Sequence, residues 1–173
     1  MVLEDFFFWG LYALIVAGTL GLNFGYSWAI EKARIYKPEL DFQQKQTRAV
    51  FEKASADAIA FAVFYLFVYG VIIAPIVEEF VFRQWFFGGL YPTFGFWAAA
   101  VLSSAIWALL HVQWYSQPWI FCVGLVFAYV YITYGLFWSI MLHLINNLVA
   151  VTLGLYAELH RISHKETIVF MRR

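Results

Sequence analysis

Long apolar stretches without charged residues alternate with short polar or turn-forming segments along this chain. Each stretch is about 16 to 25 residues long, and at 1.5 Å per residue such a length suits a helix that crosses a bilayer. The pattern predicts five transmembrane helices, at residues 6–30, 58–77, 94–112, 119–134 and 136–157.

Proline and glycine residues mark where these predicted spans bend or end. Pro75 removes a backbone hydrogen bond, so it predicts a kink late in the second span. Gly88-Gly89 and Tyr91-Pro92-Thr93 predict the turn that leads into the third span. Gly135 predicts a tight connection between the fourth and fifth spans.

The composition supports a membrane protein and argues against a soluble one. The 173 residues are 64% hydrophobic and 13% charged, whereas a soluble domain is nearer half apolar and a quarter charged. We therefore expect an all-α, polytopic transmembrane helix bundle in contact with the lipid bilayer. The formal net charge is zero and no basic patch stands out, so we do not expect a nucleic-acid partner.

The distribution of positive charge predicts the orientation. Ten of the eleven Lys and Arg residues lie either in the polar segment 31–57 or in the tail 158–173. Four predicted spans separate these segments, which places both in the cytoplasm and the N-terminus outside. We expect three parts: a first span with a cytoplasmic loop (1–57), a four-span core (58–157) and a cytoplasmic tail (158–173).

Three charged residues interrupt the apolar sequence after Pro75. Unpaired, Glu78, Glu79 and Arg83 would together cost about 8–10 kcal/mol in a bilayer, so they are candidates for a functional site. On a helix Glu79 and Arg83 are four residues apart and can form an ion pair that braces the bundle. Glu78 points about 100° away, without a partner in its own helix, which favours a role as general base.

Polar side chains in two later spans extend this candidate site. His143 and Asn147 are four residues apart on one helical face, where interhelical hydrogen bonding alone would explain them. Measured from Pro92, Glu78 lies about 21 Å and His111 about 28 Å along their helices, so these two can meet across a hairpin. His143, about 12 Å from Gly135, fits that depth less well.

Other hydrolytic chemistries find little support. The chain has no His-Glu-x-x-His motif and no Asp after Asp57, and Ser103 and Ser104 are expected to be helix-packing residues. The single cysteine, Cys122, is expected to be a small core residue. A glutamate and two histidines match a zinc ligand set, so a divalent metal stays open, but an asparagine amide is a poor zinc ligand. We expect no metal and no other cofactor.

Three short motifs together resemble the CPBP family, which includes the Ras-converting type of CAAX protease and bacteriocin-processing proteins. They are Glu78-Glu79-Phe-Val-Phe-Arg83, Trp107 to His111, and His143-Leu-Ile-Asn-Asn147. The resemblance implies an intramembrane glutamic endopeptidase, in which Glu78 and His111 activate a water and His143 and Asn147 bind the developing oxyanion. Glu79 and Arg83 would support the site. Trp107 stands where the family usually has Phe, a mild change at a position expected to serve packing.

The resemblance further implies a membrane-associated peptide or protein substrate and a location in the bacterial cytoplasmic membrane. Five spans is short for the prenyl-protein branch, so a prenylated substrate is not predicted. Two alternatives stay open. One is a non-catalytic immunity or assembly factor on the same scaffold. The other is a proton-coupled carrier, although five spans without an inverted repeat argue against it.

Overall fold

The computed structural model describes residues 2–33 and 53–171, and these residues contain helices but no strand. The predicted polar loop therefore lies mostly outside the described residues. The helices are α1 (Val2–Lys32), α2 (Ala56–Leu66), α3 (Ala74–Glu79), α4 (Gly88–Leu109), α5 (Gln117–Tyr134) and α6 (Leu136–Met171). Two π-helical segments, Phe67–Ile73 and Phe80–Phe87, join α2, α3 and α4 without a break.

The predicted membrane bundle is confirmed, with a difference in how the spans are divided. Four helical stretches in the described part of the chain are long and apolar enough to cross a membrane: Phe8–Ile30, Ala56–Leu109, Gln117–Tyr134 and Leu136–Tyr156. The second of these has 54 residues, about 80 Å of helix, which is far more than the roughly 30 Å of a bilayer core. It must therefore fold back on itself. The predicted orientation stays a prediction.

The fold-back occurs at Gly95, so the predicted turn at Gly88-Gly89 and Pro92 is wrong. Gly95 alone within α4 leaves helical geometry, with φ 73° and ψ 178°, a conformation open essentially to glycine. Pro92 stays helical, with a fixed φ that a helix allows, although it has no N–H to donate to the preceding turn. The reversal brings the ring of Phe96 back to within 6.0 Å of the ring of Phe87.

The kink predicted at Pro75 coincides with a change of hydrogen-bond register. In the π-helical segment before it, the N–H of Ala74 bonds the carbonyl of Tyr69, five residues back. Pro75 has no N–H to offer the next carbonyl, that of Gly70. Asn147 on α6 supplies the missing donor, because its Nδ2 donates to the Gly70 oxygen at 2.9 Å. This bond ties α6 to the segment that leads directly into Glu78 and Glu79.

Small residues let α4 and α5 approach closely. Ser104 is fully buried against Gly124, where a Cβ would lie only 2.7 Å from the Cβ of Ser104. Ser103 is also fully buried, so both serines pack between helices as expected, a common arrangement in membranes. The expectation for Cys122 is wrong: it is exposed and lines a groove of about 550 Å³ between α1, α4 and α5.

Candidate active site

Two consecutive carboxylates at the end of α3 have very different surroundings. The side chain of Glu79 is 0% exposed, whereas that of Glu78 is 30% exposed. Adjacent helical residues point about 100° apart, so one faces the centre of the bundle while the other faces the edge of the site. The two residues are therefore suited to different tasks.

Glu79 is held by three side chains. The predicted ion pair is present, with Arg83 Nε 3.5 Å from Glu79 Oε2. Ser139 Oγ donates to the same oxygen at 2.5 Å, and His143 Nδ1 lies 3.1 Å from Oε1. With both oxygens bonded and no exposure, this carboxylate braces α3 against α6.

Glu78 also has a partner, which the sequence did not indicate. Trp107 Nε1 on α4 donates to Glu78 Oε2 at 2.6 Å, and His143 Nε2 lies 3.9 Å from the same oxygen. Glu78 Oε1 accepts no hydrogen bond from the described residues. One carboxylate oxygen is thus held, and the other is open to a molecule that enters the site.

His143 stands between the two carboxylates. The residue is 3% exposed, and its ring packs on the ring of Phe127, with the two centroids 4.8 Å apart. Because a carboxylate oxygen can only accept, the short contact to Glu79 assigns a proton to Nδ1. Glu79 therefore fixes the ring so that Nε2 faces Glu78, as a carboxylate orients a catalytic histidine elsewhere.

His111 reaches the site through Trp107 rather than directly. Its Nδ1 donates to the Trp107 carbonyl at 2.8 Å, so Nε2 is left for another partner, and the two rings lie 5.2 Å apart. Among the described residues His143 approaches Glu78, with Nε2 3.9 Å from Oε2, and the predicted meeting of His111 with Glu78 stays a prediction.

Asn147 lies one helical turn beyond His143, and its amide is engaged by the Gly70 carbonyl. An amide nitrogen carries two N–H groups, so the second is available to a further acceptor. In the described part of the chain, Asn147 forms no hydrogen bond with Glu78 or His111.

Arg83 is enclosed beneath these residues. Its guanidinium carbon lies 5.1 Å from the ring centroid of Trp107 and 5.7 Å from that of Phe127. Apart from the ion pair with Glu79, its three side-chain nitrogens have no hydrogen-bond partner among the described residues. The aromatic rings therefore supply part of the stabilisation that a buried cation needs.

Most of the predicted site residues form one connected cluster, to which Trp107 and Ser139 are added. Glu78, Glu79, Arg83 and His143 are linked by direct contacts, and His111 joins through the Trp107 carbonyl. Asn147 lies on the same helix as His143 but bonds the Gly70 carbonyl instead of a residue of this cluster. No three His, Cys, Asp or Glu side chains in the described part of the chain are grouped so as to hold a metal ion.

Sequence reasoning missed Ser139 altogether and treated Trp107 as a packing residue. A signal existed for both. Ser139 precedes His143 by four residues, as His143 precedes Asn147, so three polar residues share one face of α6. Trp107 precedes His111 by the same interval on α4.

The fold and the site together define an integral membrane protein with a buried glutamate–histidine centre. The model of the type II CAAX prenyl endopeptidase Rce1-like family matches residues 60–149, more than half of the chain. The chain belongs to this family, and the matched range contains all of the predicted site residues.

A Bacillus subtilis (strain 168) protein named "Putative membrane peptidase YdiL" is 33% identical over 85 residues. The alignment covers 49% of this chain and 35% of that protein, so the chain matches about a third of the relative's length. No solved structure matches the chain.

Proposed function

We propose that this chain is an intramembrane endopeptidase that hydrolyses a peptide bond of a membrane-associated protein or peptide. The observation that carries the proposal is the division between its two adjacent carboxylates. Glu79 is fully buried and bonded through both oxygens, whereas Glu78 is partly exposed with one oxygen open. A brace needs the first environment and a general base needs the second.

In the proposed reaction Glu78 Oε1 accepts a proton from a bound water. The water oxygen attacks the carbonyl carbon of the scissile bond and forms a tetrahedral intermediate that carries an oxyanion. The intermediate collapses as the C–N bond breaks, and Glu78 returns its proton to the departing amine. The products are a carboxylic acid and an amine, so peptide and water balance without a further reactant.

Each remaining polar residue has a proposed place in this sequence. His111, whose Nδ1 is committed to the Trp107 carbonyl, offers Nε2 to the same water. When Nε2 of His143 also carries a proton, it donates to the oxyanion together with the second N–H of Asn147, and both are preorganised donors. Glu79 holds the His143 ring by Nδ1, and Arg83 neutralises Glu79.

The environment of the site favours a substrate that is itself associated with the membrane. Exposed side chains around the catalytic segment are predominantly large and apolar, such as Val77, Phe80 and Val81 next to the carboxylates. A water-soluble chain would have to cross a lipid-facing surface to reach Glu78. A peptide already held at the bilayer meets the site without that cost.

The test is cleavage of a fluorogenic peptide library by purified wild type and Glu78→Gln in detergent. Gln keeps the shape of Glu but cannot accept the water proton, so we expect cleavage to be lost while thermal unfolding is unchanged. Asp57→Asn serves as the control, because it makes the same chemical change at an exposed position in the first turn of α2.

Three results would contradict the proposal in different ways. Full cleavage by folded Glu78→Gln would remove Glu78 as the base. Loss of wild-type cleavage in a chelator would indicate a metal centre instead of a metal-free glutamate mechanism. A folded wild type that cleaves neither the library nor a prenylated peptide would favour the non-catalytic immunity or assembly factor.

A further inference from the structure

Trp107 occupies the centre of the candidate site. Its ring is almost completely buried and lies within about 6 Å of the side chains of Arg83, His111, Phe127 and His143. Packing alone would explain a large aromatic ring here. It does not explain why the indole N–H is aimed at the partly exposed carboxylate rather than left without a partner.

We propose that Trp107 is a positioning residue for the reaction, which acts by holding one oxygen of Glu78 so that the other faces the water. The inference rests on the proposed function. Its geometric basis is the 2.6 Å hydrogen bond from Trp107 Nε1 to Glu78 Oε2. A bond this short from an N–H to an ionised carboxylate is at the strong end of its class.

The carboxylate would otherwise be poorly fixed. The terminal torsion of a glutamate side chain is broad, so a partly exposed carboxylate samples many orientations. His143 Nε2 is 3.9 Å away, too far to fix it by a direct hydrogen bond. The indole N–H is then the only hydrogen-bond donor that the described residues supply to Glu78, and it orients Oε1 towards the open side.

The geometry of the donor is itself rigid. Trp107 is clamped by the His111 and Phe127 rings, and its own carbonyl accepts a bond from His111. A donor fixed by its neighbours costs little entropy to use during the reaction, which is the general benefit of preorganisation. His111 and Glu78, the two residues proposed to contact the water, are thus both held by Trp107.

The first test separates the ring of Trp107 from its N–H. Trp107→Phe keeps an aromatic ring in the same place but removes the donor, and Trp85→Phe makes the same change at an exposed position. We expect Trp107→Phe to lower kcat about tenfold to a hundredfold with KM and thermal unfolding little changed. Trp85→Phe should retain the wild-type kcat.

An unchanged or increased kcat in folded Trp107→Phe, beside loss of activity in Glu78→Gln, would overturn the positioning role and leave the proposed function intact. Full activity in Glu78→Gln would instead overturn the proposed function. A rise in KM that matches the fall in kcat/KM would show that Trp107 serves substrate binding, and would also overturn the inference.

The second test does not depend on activity or on the fold of a Trp107 variant. The chain has eight tryptophans, so protein labelled with ¹⁵N at the indole nitrogens gives a small set of N–H signals. We expect one signal at unusually low field in wild type that moves upfield in Glu78→Gln, because the donor loses its charged acceptor. If no indole signal moves, the hydrogen bond does not exist in solution and the inference is wrong.

Discussion

The hydrogen bond from Asn147 to the Gly70 carbonyl allows a specific prediction about stability, because the structure explains why this carbonyl needs a donor from another helix. Ala74 donates to Tyr69 and Pro75 has no N–H, so the Gly70 oxygen depends on Asn147. Asn147→Leu removes the donor and keeps a side chain that branches at Cγ. Interhelical hydrogen bonds in membranes average about 0.6 and reach about 1.7 kcal/mol. An unsatisfied buried carbonyl costs about 1–3 kcal/mol, and the Gly70 carbonyl is only partly buried, so its cost lies towards the lower end. We therefore expect Asn147→Leu to lower the free energy of unfolding by about 1–2 kcal/mol.

Repeating Asn147→Leu in a Pro75→Ala protein shows whether the loss of stability arises from the unsatisfied Gly70 carbonyl. Pro75→Ala restores an N–H five residues after Gly70, in the register that the π-helical segment already uses. In this background Asn147→Leu should cost less than about 0.5 kcal/mol, a coupling of about 1 kcal/mol between two residues on different helices. The assay is equilibrium unfolding in mixed micelles, followed by circular dichroism.

Asn146→Leu is the matched control for the same cycle. The Oδ1 of Asn146 is buried without a hydrogen-bond partner among the described residues, so removing it should be neutral or stabilising in both backgrounds. If Asn147→Leu costs the same with Pro75 as with Ala at that position, the Gly70 carbonyl is not what Asn147 satisfies. A purely catalytic asparagine would give that result.

Three further substitutions test the packing and the brace by thermal unfolding in detergent. Gly124→Ala should destabilise by about 1–3 kcal/mol, because the new Cβ would lie 2.7 Å from the Cβ of Ser104. Gly95→Ala should cost about 1–3 kcal/mol through backbone strain at φ 73°. Ser139→Ala should cost about 1–3 kcal/mol, because it removes a donor to buried Glu79.

Gly154→Ala is the control for both glycine predictions. Its Cβ would meet no heavy atom within 4 Å, and its backbone is helical. A Cβ at position 124 would clash with a neighbour, and a Cβ at position 95 would strain the backbone. Neither problem arises at position 154, so Gly154→Ala should be neutral or slightly stabilising. Equal losses at all three positions would show that detergent effects, rather than these contacts, decide the outcome.

The sequence predicted the membrane bundle well, because long uncharged stretches report directly on the solvent around them. It predicted the Glu79–Arg83 pair for the same local reason, a spacing of four residues on one helix. It failed at the turn, where Gly88, Pro92 and Gly95 are all plausible breakers. Only the tertiary fold determines which of them adopts a conformation closed to other residues.

The contacts within the site could not be predicted from the spacing of residues along one helix. The bond from Trp107 to Glu78 joins residues 29 positions apart, and that from Ser139 to Glu79 joins residues 60 apart. Periodicity places a residue on a face but does not select its partner on another helix. The register between α3, α4 and α6 does so, and that register depends on the reversal at Gly95 and on the π-helical segments.

The buried pair of Glu79 and Arg83 allows stability and function to be separated. Arg83→Met removes the cation from between the Trp107 and Phe127 rings and leaves Glu79 as a buried, uncompensated charge, which should cost about 3–5 kcal/mol. Adding Glu79→Gln removes that charge, so the double variant should be more stable than Arg83→Met alone, as measured by unfolding in mixed micelles.

The same double variant should nevertheless have low peptidase activity. Without the Glu79 carboxylate, nothing negative holds Nδ1 of His143, and the ring loses the orientation that turns Nε2 towards Glu78. Recovery of both stability and cleavage would show that Glu79 only neutralises Arg83. Recovery of stability without cleavage would assign Glu79 to the orientation of His143. A double variant no more stable than Arg83→Met would refute the view that an uncompensated charge causes the loss.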